Sequence, residues 1–67
     1  MVEDKINHPK HYNVGKIEVY DFILDQDMNY TEGNVIKYVC RYKVKGGLED
    51  LKKAKWYLDR LIKKAKK

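Results

Sequence analysis

Between Gly33 and Gly47 the chain reads GNVIKYVCRYKVKGG, and its side chains suit one chemistry, the holding of an anion. Lys37, Arg41 and Lys45 recur every four residues, which stacks them about one turn apart on one helical face. From Lys37 to Gly47 stand four cations (Lys37, Arg41, Lys43, Lys45), three aromatic or thiol side chains (Tyr38, Cys40, Tyr42) and no acid. Like charges in a row repel, and a face chosen for stability alone would interleave Glu or Asp. A guanidinium clasps a phosphate through two parallel hydrogen bonds, and a tyrosine ring can stack on a base. The plain alternative is a solvated cationic face.

Other residues offer less. In HPKHY, His8 and His11 are open to three readings: an arm pinned by packed rings, part of a ligand pocket, or metal ligands. Further metal ligands are not evident. His11 could exchange a proton near neutral pH, but no nucleophile stands beside it. Asn34 suits a cap or turn as well as a polar contact to a ligand. Glu49 and Asp50 read as helix-start acids rather than catalytic carboxylates. Trp56 and Tyr57 read as core or interface rather than base platforms. The chain carries no P-loop, GxGxxG or paired-carboxylate motif, no zinc-type Cys/His spacing and no helix-turn-helix pattern.

These residues need elements to position them. Residues 1–15 read as an extended arm, because Pro9 disfavours helix at His8 and Asn13 with Gly15 marks a turn. The period of Ile17, Tyr20, Ile23/Leu24 and Met28 predicts a first helix over 17–28. Thr31 is the expected N-cap of a second helix, with Glu32 in its first turn. Val35, Ile36, Val39 and Cys40 form its apolar stripe, and Gly46-Gly47 ends it through a left-handed cap. A third helix of about 17 residues starts near Leu48. Leu48, Leu51, Lys55, Leu58, Ile62 and Ala65 line one of its faces, which Ala54, Trp56 and Leu61 widen. The two-glycine link makes helices 2 and 3 an antiparallel hairpin. It should bring the late cations of helix 2 near Lys52, Lys53 and Lys55. The N–H groups opening helix 3 then suit a phosphate.

Size and charge bound the rest. Sixty-seven residues make a single all-α domain of three helices, with a basic tail over 63–67. A chain this short buries only about 60% of its unfolded surface, and its lone cysteine allows no internal disulfide. Association into a homo-oligomer is the remaining support. A single Cys40 in an apolar pattern suits a buried thiol in a reducing compartment. No signal core or membrane-length apolar run is present, which points to the cytoplasm and away from membranes. The net charge of +5 favours anionic partners: nucleotides, nucleic acid or acidic protein.

Three blocks, HPKHY, GKIEVYDFI and GNVIKYVCRYKVKGGLEDLKKAKWYLDRLI, follow in order. Together they resemble a small domain of unknown function encoded by tailed phages and prophages. One relative of that domain is a coliphage nucleotide kinase that lacks a Walker motif and forms a large homo-oligomer. The resemblance spans residues 7–62. It implies a nucleotide-handling, homo-oligomeric protein of an infected or lysogenic bacterial host. By matching position it makes His11, Tyr12, Lys16 and Glu18 candidate ligand residues, together with Asn34, Lys37, Tyr38, Arg41, Lys45, Gly46 and Gly47. The kinase relative is considerably longer. Phosphoryl transfer brings donor, acceptor and usually Mg²⁺ together, and this chain has few acids near its cations to hold a metal. The leading expectation is therefore a protein that sequesters a nucleotide, a host antiviral immune signal being one such ligand. It needs no cofactor, catalytic residue or metal ligand. The alternatives are a Walker-less nucleoside monophosphate kinase using Mg²⁺ and a nucleic-acid-binding module built on the Lys-rich third helix.

Overall fold

A computed structural model describes residues 15–66, which are mostly helical with no strand among them. Helix α1 covers Val19–Asp25, α2 Tyr30–Arg41 and α3 Gly47–Ala65, and a π-helical turn, Tyr42–Gly46, joins α2 to α3. The helical class is the one expected, and the π turn is an additional element. The arm lies outside the described residues except for Gly15, and His8, His11 and Tyr12 lie outside them too.

Helix α1 is shorter than its periodicity suggested. Asp27 takes a left-handed backbone, φ 55°, which aspartate tolerates better than most residues. The Met28 N–H then donates to the Ile23 carbonyl at 3.1 Å and the Asp27 N–H to the Leu24 carbonyl at 3.0 Å. That paired closure satisfies the last carbonyls and stops the helix before Met28. The cap of α2 also differs from expectation, being Asn29 rather than Thr31. Asn29 Oδ1 accepts from the Glu32 N–H, and Glu32 Oε1 accepts from the Asn29 N–H, both at 2.9 Å. Asn29 wins because a glutamate stands three residues on, whereas Thr31 has Asn34 at that place.

The π turn explains how α2 gives way to α3. The Gly47 N–H reaches back five residues to the Tyr42 carbonyl, a wider loop than an α turn. Gly47 sits at φ 54°, ψ −137°, a region open essentially to glycine alone. The glycines do reverse the chain as expected, but by this route and not by the usual left-handed cap. The reversal is antiparallel: stepping back along α2 from Arg41 through Tyr38 to Tyr30, the partners advance along α3 from Asp50 to Tyr57.

The face that α3 turns to α2 holds Asp50, Ala54, Tyr57 and Leu61. Ala54 is the one buried apolar side chain among the described residues. The expected aliphatic stripe is not packed against α2. Leu48, Leu51, Leu58 and Ile62 are exposed, as is Val39 of α2. The reason is angular. These residues lie on the flank of α3 beyond the aspartate, alanine and tyrosine that meet α2. Cys40, expected to be buried, is exposed, although partial shielding of its Sγ pushes the thiol pKa up. Helix α1 contributes little cover; its Ile23 rests on Gly33 of α2.

Three substitutions separate these local devices. Asn29→Ala should cost about 1 kcal/mol through loss of the cap, while Thr31→Ala should leave stability nearly unchanged. Gly47→Ala should cost about 1–3 kcal/mol through backbone strain. Urea denaturation followed by circular dichroism reads all three, and equal midpoints for the Asn29 and Thr31 variants would refute the cap assignment.

Candidate functional site

The late cations of α2 and the first turn of α3 meet at an ion pair. Arg41 Nε donates to Asp50 Oδ2 at 3.0 Å, and a terminal guanidinium nitrogen donates to Oδ1 at 3.2 Å. Asp50 is 1% exposed. Its seat is made by Gly46, where any Cβ would overlap the carboxylate. The Arg41 hydrogen bonds hold the Asp50 carboxyl below its ordinary pKa. Desolvation opposes them, and the Arg41 charge, the Gly46 backbone and Lys53 add to the lowering.

This changes the cation row. The anion at the glycine turn is the chain's own Asp50, and an acid does stand among the cations. Two nitrogens of the Arg41 fork are engaged by the Asp50 carboxylate. Gly46 allows a close approach, as expected, but the approaching group is Asp50. Asp50 also fills the first turn of α3, where an external phosphate was expected. Lys45 falls inside the π turn and is exposed.

Around Tyr38 the cations converge. Lys37 Nζ stands 4.7 Å from the ring centroid, Arg41 Cζ 5.1 Å and Lys53 Nζ 5.5 Å, each within cation–π range. Lys53 comes from α3, as the hairpin requires. Lys55 instead pairs with Asp59 on the exposed side at 2.9 Å. Tyr38 stacks on Tyr57 with centroids 6.1 Å apart and planes 12° apart. Tyr57 in turn meets Tyr30 edge-on at 6.3 Å and Trp56 at 5.0 Å. A hydrogen bond with Tyr30 holds the Tyr57 proton and pushes its pKa up, with burial adding to the effect. Tyr30 is 77% exposed and Trp56 55%.

The remaining candidates scatter. Asn34 is buried and its Nδ2 donates to the Tyr30 carbonyl at 2.9 Å, which is a structural role. It also lines a shallow cleft of about 270 Å³ with Lys37, Ile23 and Tyr30. Lys16 is exposed ahead of α1, near Glu18. Trp56 and Tyr57, expected in the core or an interface, stand in the ring cluster of Tyr38 together with Tyr30, which no sequence motif marks. Their common signal was available: Tyr30, Tyr38 and Tyr57 sit at helical positions that an antiparallel hairpin brings face to face.

The fold and this cluster define a small helical-hairpin protein with a face of tyrosines and cations. Residues 6–59 match the profile of a family described as a protein of unknown function, DUF3310, and the chain belongs to that family. No curated protein and no solved structure matches it.

The ion pair sets a pH dependence. Because the folded Asp50 pKa is depressed, its stabilisation is fully present above the unfolded aspartate value of about 3.9. It is lost as pH falls through the folded value. The stability gap between the native protein and Asp50→Asn should therefore be widest near neutrality and close as the pH drops below about 4. Denaturation at several pH values measures it, and a gap independent of pH would contradict the assignment.

Proposed function

We propose that the protein binds a nucleotide at the Tyr38 cluster and holds it without transferring its phosphate. The observation that carries this is the convergence of Lys37, Arg41 and Lys53 on one tyrosine ring. Lys37 and Lys53 supply the charge for the phosphate. Arg41, fixed by Asp50, adds field and keeps the cluster rigid. The exposed ring of Tyr30, joined to Tyr38 through Tyr57, gives the base a stacking surface. The carboxylate of Asp50 is tied to Arg41, which favours holding an anion over moving a proton or a phosphoryl group.

The sequence resemblance to a phage domain makes the cytoplasm of an infected or lysogenic bacterium the setting we propose, and sequestration of a nucleotide immune signal the role. Among the described residues no helix is long and apolar enough to cross a membrane. A homo-oligomer belongs to the same reading. Leu48, Leu51, Leu58 and Ile62 expose an aliphatic flank, and each such side chain gains about 1.5–3 kcal/mol on full burial. A second copy would cover them.

Calorimetry with linear and cyclic nucleotides tests the binding. Lys37→Ala combined with Lys53→Ala should weaken it about 10-fold or more, which corresponds to about 1.4 kcal/mol. Arg41 variants are unsuitable, because they leave Asp50 buried without its partner. No heat with any nucleotide, or unchanged affinity in the double variant, would overturn the reading. Diphosphate product from a deoxynucleoside monophosphate with ATP and Mg²⁺ would turn it into a kinase. Sedimentation of Leu58→Lys should show a smaller species than the native protein; equal masses would exclude that flank as the interface.

A further inference from the structure

A second set of cations lies at the other end of the hairpin. The start of α2 and the last turns of α3 enclose a cavity of about 560 Å³ lined by Asn29, Thr31, Arg60, Leu61, Lys63 and Lys64. Three of these six carry positive charge and none is acidic. Arg60 is laid over the Trp56 ring, its Cζ 4.7 Å from the centroid. None of the three cations has a carboxylate partner among the described residues. Three like charges around one hollow repel each other, and Trp56 stays 55% exposed beside them.

The two cation sets are joined. From Tyr38 the rings continue through Tyr57 to Tyr30 on one side and to Trp56 on the other, and Arg60 caps Trp56. On α3, Lys53, Tyr57, Arg60 and Lys64 recur at spacings of three and four, so they share one flank. This is the flank opposite the exposed leucines. From Lys53 to Lys64 is about 16 Å along the helix axis. At about 3.4 Å per nucleotide of stacked strand, that length matches about four to five steps between successive phosphates. Charge at both ends with rings between is how proteins bind single strands without reading sequence: cations follow the backbone and aromatics take the bases.

We infer that the ligand is a short single-stranded oligonucleotide that runs from the Lys37–Lys53 cluster to the Arg60–Lys63–Lys64 cavity. This rests on the nucleotide reading above and extends it from one phosphate to several. Bases stack on Tyr30 and Trp56. The Asn29 and Thr31 side chains beside the cavity offer polar contacts to the phosphate or sugar at the far end.

The test uses the full chain and a Lys63→Ser/Lys64→Ser variant, both positions being exposed, with circular dichroism to show that the variant keeps its helices. Binding of random-sequence single strands of two, four and eight nucleotides, of an eight-base-pair duplex and of the four deoxynucleoside monophosphates is measured across a salt series. The four- and eight-nucleotide strands should bind at least about 10-fold more tightly than any monophosphate. The variant should lose about 10-fold in affinity for those strands. Its log–log salt slope should flatten by about 1.4, two phosphate contacts at about 0.7 each. Its affinity for a monophosphate should not change. Equal affinity for monomer and octamer, or an unaffected variant, would overturn the extension and leave the nucleotide site standing. Tighter binding of the duplex would overturn the single-strand assignment. Absence of binding by every probe would overturn both readings.

Discussion

The Arg41–Asp50 pair is the interaction on which the rest of this structure depends. It joins residues nine apart across the chain reversal, and so fixes where α3 begins relative to where α2 ends. A carboxylate this deeply buried is tolerated because a guanidinium fork and a backbone amide satisfy it. The fork and the amide meet there because Gly46 leaves room and the π turn sets the path. Remove the side-chain space at Gly46 or the backbone freedom at Gly47 and the aspartate has no seat. The register of Tyr38 on Tyr57, seven residues further along α3, follows from the same anchor.

With the anchor in place, the hairpin sorts its surfaces. The strip between α2 and α3 is small and polar-aromatic, with Ala54 allowing the helices to approach. One flank of α3 then carries Lys53, Arg60 and Lys64 around a tyrosine–tryptophan ladder. The other carries leucine and isoleucine with no cover from α2. A domain of this size has little apolar surface to spare for its own interior. The aliphatic flank stays exposed in the single chain, and the cationic flank carries like charges that repel one another.

Much of the fold was legible in sequence because it rests on short-range rules. The three helices, the hairpin and the reversal at Gly46-Gly47 follow from periodicity and from glycine's backbone freedom. The cap is Asn29 rather than Thr31, because Asn29 has the glutamate partner that a capping box requires. The ion pair of Arg41 was not legible, since no acid lies near it in α2. Its acid lies in the next helix, and spacing within one helix cannot reveal it.

By itself the sequence determined that this chain is helical, basic, and built around a cation-and-tyrosine segment ending at two glycines. Those properties are carried by residue type and local period. Only the tertiary structure decided which cations are engaged internally and which face outward. An ion pair between helices depends on the angle and register at which they meet. The same geometry brought Lys53 of α3 to the Tyr38 ring beside Lys37 and Arg41. The cluster around Tyr38 is thus assembled from two helices, and neither helix contains it alone.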